Sequence, residues 1–276
     1  MGYRSKFVVR PGKPFSLGSI RASFRGGETH GAAKKRIEKN REKLAALQSL
    51  LWAEKKHSLL IVLQAMDTGG KDGTINHVLS VLNPQGTDVT GFRVPTQEEA
   101  AHDFLWRVHP HAPAKGNIAI FNRSHYEDVL APRVHGTLSK AACEERFQDI
   151  RDFEQLLADG GTHIVKFFLH ISRDEQLKRF AARLDDPQRN WKISESDYSE
   201  RPYWDEYMAA YEDAIRATTS DAAPWFVVPS NHKWFRNLVV SEIVVEAMEG
   251  LHMSYPEPRV DLRDIRRKYH KAIKAG

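Results

Sequence analysis

The sequence is poor in the features that would tie a chain to an oxidising compartment or a bilayer. Its 276 residues include one cysteine, Cys143, which excludes an intramolecular disulfide and a cysteine-cluster metal site. The longest apolar runs, such as Leu59–Leu63, fall far short of the ~20 residues that a membrane-spanning helix needs. Met1-Gly2-Tyr3-Arg4-Ser5-Lys6 lacks the apolar stretch of a secretory signal. No internal repeat or low-complexity tract is visible. With 41% apolar and 10% aromatic residues the chain is not a disordered one. A soluble, cytoplasmic protein without membrane contact is expected. The charges, 41 Lys+Arg against 36 Asp+Glu, leave a net +5. That balance suits a polyanionic partner such as nucleic acid, nucleotide or another phosphate polymer, and it suits a lysine-rich surface equally well.

Short apolar runs alternate with helical stripes. Residues 1–30 contain Gly and Pro without clear periodicity and read as an extended arm or lid strap. Ala32–Lys56 carries Ile37, Leu44, Leu47 and Leu51 on one helical face. Ser58–Leu63 is a continuous apolar run too short for a buried helix, as in a central parallel strand. Further strands are predicted at Thr87–Val94, Asn117–Phe121, His163–Ile171 and Trp225–Val228. Helices are predicted at Thr96–Val108, Ser139–Asp159, Arg173–Leu184, Tyr203–Ala217 and Lys233–Glu249. Strand–helix alternation of this kind predicts an α/β sandwich around a mainly parallel five-stranded sheet. One domain over 1–276 is expected, with 173–201 as a lid region and 256–276 as a basic peripheral tail.

Directly after the first strand comes Gln64-Ala65-Met66-Asp67-Thr68-Gly69-Gly70-Lys71-Asp72-Gly73-Thr74. A glycine-rich turn between strand and helix presents backbone N–H groups to an anion, and Lys71 can reach back over bound phosphates. The pattern G-x-x-x-x-G-K-[ST] is missed twice, at Ala65 and at Asp72. With the metal-binding hydroxyl lost, a carboxylate must replace it, and Asp67 is the candidate. An acid in a phosphate loop is repulsive unless a cation such as Mg²⁺ bridges it to phosphate oxygens. The alternative is a tight turn whose glycines serve backbone geometry alone. The third strand runs into Asn122-Arg123-Ser124-His125-Tyr126-Glu127-Asp128, where P-loop folds often place an acidic residue. Here the acids come late, at Glu127 and Asp128, and could equally be first-turn residues of a helix capped by Ser124. Arg179 and Arg183, four apart on one helical face and followed by Lys192, resemble a mobile lid that brings cations onto phosphates. His77, His125 and His163 show no metal-ligand spacing and are read as structural.

Taken together, these segments resemble the polyphosphate kinase 2 family from about Tyr3 to Tyr255. The phosphate loop, His102–Arg107, Phe121–Leu130, Arg183–Pro187 and Ala223–Pro229 carry the likeness, and Asn122 with Glu127 looks like the class III subgroup. The resemblance implies a P-loop, thymidylate-kinase-like three-layer fold with a helical lid. It also implies Mg²⁺-dependent, reversible transfer of the terminal phosphoryl group of inorganic polyphosphate to AMP and ADP, with Mn²⁺ as an alternative metal. Asp67, Lys71, Asn122, Arg123 and Glu127 are expected at the transfer point. Gly69, Gly70, Asp72, Gly73, Thr74, Arg133, Arg179, Arg183 and Lys192 are expected along the phosphates. Arg93 in Phe92-Arg93-Val94-Pro95, with Trp106 and Arg107, is expected on the nucleotide side. Metal ligation is expected from Asp67 with Glu127 or Asp128, the choice between the last two staying open. A homo-oligomer, dimer or tetramer, is implied, and no nucleic-acid partner. Two other readings fit parts of the pattern: a nucleoside monophosphate kinase using ATP, and a polyanion-binding module without chemistry.

Overall fold

The computed structural model describes residues 2–275. In chain order the elements are α1 (Tyr3–Phe7), α2 (His30–Glu54), β1 (Ser58–Gln64), α3 (Lys71–His77), β2 (Thr87–Gly91), α4 (Gln97–Ala100), β3 (Ile118–Asn122) and α5 (Glu127–Val134). There follow α6 (Lys140–Asp159), β4 (Thr162–His170), α7 (Arg173–Leu184), α8 (Glu195–Ser199), α9 (Trp204–Thr218), β5 (Trp225–Pro229), α10 (Lys233–Glu249) and α11 (Leu262–Ala275). The five strands lie in the order β2-β3-β1-β4-β5, and every strand pair is parallel.

The sheet explains why the strand runs are almost wholly apolar. β1 is central, and every one of its residues is buried. Leu60 and Val62 pack with Phe147, Ile150 and Phe153 of α6 and with Tyr211 and Ile215 of α9. Leu59, Ile61 and Leu63 face Leu44 and Leu51 of α2 and Val239, Val240 and Ile243 of α10. Helices on both faces leave the central strands no wet side, so three layers form.

Two sequence expectations are corrected and a third is given its place. Of the expected N-terminal arm, residues 2–30 pack on the body of the molecule. Val9 N–H donates to Trp225 O at 2.8 Å, Val8 pairs antiparallel with Phe226, and Phe7 and Phe24 stack edge-on to Phe235, so the segment covers the free edge of β5. The second strand stops at Gly91, because Phe92 turns inward against Phe121 with its N–H on Asn122 O. The helix expected over 96–108 lasts one turn, capped by Thr96 and Glu99. Asp103 then accepts from the N–H groups of Leu105 and Trp106, both at 3.0 Å, and this local side-chain bond competes with helix propagation.

One polar cluster is sealed into the α6–α9 layer. Lys166 of β4 donates to Glu154, to the Tyr126 hydroxyl at 3.0 Å and to Thr218 O at 2.9 Å, and both charged groups are buried. A buried pair loses most when one partner is removed, because the other charge is stranded. Lys166→Met should cost about 3–5 kcal/mol in urea unfolding. Lys166→Met combined with Glu154→Leu should recover most of that loss. A double variant no more stable than the single one would show that the pair is not what the cluster relies on.

Candidate active site

The carboxyl ends of β1 and β3 point the same way, so their loops converge on one crevice. The chain leaves β1 through Ala65–Gly70 and enters α3 with the backbone tightly folded. Gly70 has φ +112°, and a Cβ there would stand 1.8 Å from a guanidinium nitrogen of Arg236. A Cβ on Gly69 would come within 2.4 Å of Ala65 Cβ, so the alanine that breaks the usual loop pattern is part of the packing that demands glycine next to it. Thr68 and Arg123 are held at φ +60° and +65° without being glycine, a cost that clusters at working sites.

Four charged groups meet there. Lys71 folds back so that Nζ donates to Ala65 O at 2.9 Å. Burial pulls its ammonium below the usual range, with help from Arg123 and against the pull of Asp67 and Glu127. Arg123 Nη2 pairs with Asp67 Oδ1 at 3.0 Å. Burial works against the Arg123 charge, yet Glu127 and Asp67 more than offset it. Glu127 is the first residue of α5. Burial pushes its carboxyl above the usual range although Arg123 and Lys71 oppose the shift. With its amide turned by half a rotation, Gln64 donates to Glu127 Oε1 at 2.9 Å and accepts from Ser124. Asp67, Lys71, Arg123 and Glu127 are thus brought together as read from sequence.

Asn122 and Lys192 also reach this region, but through Asp72. Asn122 Nδ2 donates to Asp72 Oδ1 at 2.9 Å, and Lys192 Nζ bonds Asp72 Oδ2 at 3.0 Å. Burial raises the Asp72 carboxyl, and these two donors outweigh it and hold it low. The Asp72 side chain therefore ties the start of α3 to the end of β3 and to Lys192. Thr74 is buried and spends its hydroxyl on Gly70 O at 3.1 Å, bracing the loop from within.

Other expected phosphate and nucleotide residues are engaged by partners within the protein. Arg179 is buried and donates to the carbonyls of Thr68 at 2.9 Å, Gly69 at 3.2 Å and Asn231 at 3.2 Å, clamping the loop instead of facing out of it. Arg183 lies 3.6 Å from Asp197 within the lid, and Arg133 is paired with Asp213 of α9. Arg107 is buried with two bonds to Asp128, at 2.8 and 3.1 Å, so each of these two expected site residues is occupied by the other. Arg93 and Trp106 stay exposed, Trp106 stacked on His102 at 4.2 Å. His125 is buried near Glu154, and His163 packs on His57.

Sequence reasoning missed Arg236. Its guanidinium is buried under Gly70 and Gly73 and finds an acceptor only in Asn237 Oδ1, at 2.7 and 3.1 Å, among the described residues. Burial first, and Arg179 second, pull it down to about 9. Lys233 beside it is lowered by burial and by the cations Arg179, Arg189 and Arg236. The available signal was two cations in the first turn of a helix, where the dipole disfavours positive charge.

A glycine-rich turn between a parallel strand and a helix, with a lysine folded over it and an arginine from the neighbouring strand, defines a P-loop kinase fold. The family model for polyphosphate kinase 2 matches residues 28–256. An AMP/ADP-polyphosphate phosphotransferase of Meiothermus ruber is 49% identical over 257 residues, 92% of this chain and 96% of that one. An ADP-polyphosphate phosphotransferase of Rhodopseudomonas palustris is 49% identical over 228 residues, 78% and 79% of the two chains. The crystal structure of polyphosphate kinase 2 from Arthrobacter aurescens TC1 superposes with a TM-score of 0.95 at 42% identity, covering 98% and 97%. The chain belongs to the polyphosphate kinase 2 family.

The raised carboxyl of Glu127 gives a pH-dependent expectation. The folded protein holds that proton more tightly than the unfolded chain, so stability is lost as pH rises through the raised pKa. Glu127→Gln, permanently neutral, should melt higher than the wild type at pH 7, with the gap closing toward pH 4. Parallel melting curves across that range would refute the assignment.

Proposed function

We propose that this chain is a class III member that transfers the terminal phosphoryl group of inorganic polyphosphate reversibly to AMP and to ADP, forming ADP and ATP. The names of the Meiothermus and Rhodopseudomonas relatives support the donor and acceptors. The observation that carries the reading is the meeting of Lys71 and Arg123 with Asp67 and Glu127 at the end of β1. Phosphoryl transfer asks for in-line placement and neutralised oxygen charge more than for a strong base. Lys71 Nζ has only to swing off the Ala65 carbonyl to meet a phosphate oxygen, while Arg123 stays anchored by Asp67. Arg236, with Lys233 next to it, adds positive charge behind Gly70. The Lys192–Asp72 contact keeps the lid across α3.

Among the described residues no group of three or more His, Cys, Asp or Glu gathers to form a closed metal cage. Two carboxylates that leave room for substrate phosphates fit Mg²⁺, or Mn²⁺, which is commonly held in that way. Asp67 and Glu127 are the residues that would hold it, and the bound ion would supply neutralisation of phosphate oxygens. We read 1–276 as one domain of a cytoplasmic homo-oligomer, dimer or tetramer, with no nucleic-acid partner.

Three experiments test the proposal. With AMP, polyphosphate and Mg²⁺ but no other nucleotide, ADP and then ATP should accumulate; product only on addition of ATP would make it an ATP-dependent monophosphate kinase. Lys71→Ala should lower kcat by roughly 10²–10³-fold with the fold intact. Arg236→Met should weaken polyphosphate binding and flatten its dependence on salt by about one counterion, read from affinity measured at several salt concentrations. An unchanged salt slope would remove Arg236 from the phosphate path.

A further inference from the structure

Helix α11 takes no part in the phosphoryl-transfer site. One of its faces carries Leu262, Ile265, Tyr269 and Ile273, all exposed, Tyr269 by 63% and Ile273 by 60%. The rest carries six Lys and Arg against one Asp, a formal +5 that equals the net charge of the whole chain. Arg263, Arg266, Lys271 and Lys274 make no ion pair among the described residues. A helix of 14 residues is marginal by itself in water, and a helix with so marked an apolar stripe needs a surface to bury it.

Among the described residues of its own molecule none covers that face. The segment from His252 to Asp261 contains Pro256 and Pro258 and no helix or strand, and such segments act as stiff extended spacers. It leaves α10, on one side of the sheet, and holds α11 clear of the body. The complementary surface lies on the opposite side of the sheet. Along the outer face of α6, Glu145, Asp149, Asp152 and Asp159 recur at helical spacing with Leu156, 60% exposed, in line with them. Among the described residues none of these four carboxylates is in an ion pair. The stretch from Glu145 to Asp159 is about as long as α11, roughly 20 Å for either. Two α11 helices packed on each other would repel, so the acidic face is the better mate.

We propose that α11 is an exchanged arm that lays its apolar and basic surface across the acidic face of α6 in a second copy of this chain. This goes beyond the expectation of a homo-oligomer by naming the element and the surface that join the copies. A basic amphipathic helix also suits an anionic bilayer. The acidic α6 stripe favours protein.

Sedimentation of the full chain and of three variants tests the proposal. Deleting residues 258–276 should lower the mass of the assembly, and so should Asp149→Lys with Asp152→Lys, by weakening association at least tenfold. Adding Arg266→Glu and Lys271→Glu to the α6 pair should restore it, which a merely misfolded variant would not do. The proposal is overturned if the deleted chain keeps the full-length mass, if the combined charge swap does not restore association, or if the full chain floats with phosphatidylglycerol vesicles through α11 while remaining monomeric.

Discussion

The site depends on compensating charges gathered at the end of β1, each only partly exposed to water. Lys71 and Arg123 are each unfavourable to bury, and so are Asp67 and Glu127. Together the four offset one another well enough to persist, with Lys71 depressed and Glu127 raised as the residual cost. A phosphate chain entering this cluster adds negative charge to a place where two cations already have carboxylate partners. Transfer chemistry therefore requires the partners to be shared rather than displaced, which is the physical reason that a divalent cation belongs in the proposal.

That cluster is held up by arginines that do not face it. Arg179 binds the carbonyls of Thr68 and Gly69 from α7, and so ties the lid helix to the loop it covers. Arg236 fills the space under Gly70 and Gly73 that any side chain at those positions would need. Arg107 and Asp128 neutralise each other beneath α5, and this sets the helix whose first residue is Glu127. The strained backbone at Thr68 and Arg123 is sustained by this surrounding network, since neither residue would adopt a left-handed φ unaided.

The fold was legible because it rests on local chemistry. Apolar runs of strand length and glycines after β1 dictate a doubly covered parallel sheet whatever the rest of the chain does. The placement of Lys71, Arg123 and Asp67 followed, since adjacent parallel strands bring their carboxyl ends together. What stayed hidden was partner choice. Arg107, Arg133, Arg179 and Arg183 look alike in sequence, and only tertiary structure shows that each is already matched to an acid or to backbone carbonyls. Asp103 likewise gave no sign that its side chain would halt a helix, because that competition is decided by backbone geometry around it.

Net charge was the weakest guide. The +5 of the chain reads as an affinity for polyanions, yet α11 alone accounts for a charge of that size and the body of the molecule is balanced. A balanced body attracts a phosphate polymer through where its cations lie, not how many there are. Lys71, Arg123, Arg236 and Lys233 are concentrated around one loop, and Arg236 among them is buried, where screening by salt is weaker than on the surface. The proposed recognition thus lies at the sheet ends and the first turn of α10, and the exposed basic helix near the other end of the chain is free to serve a different contact.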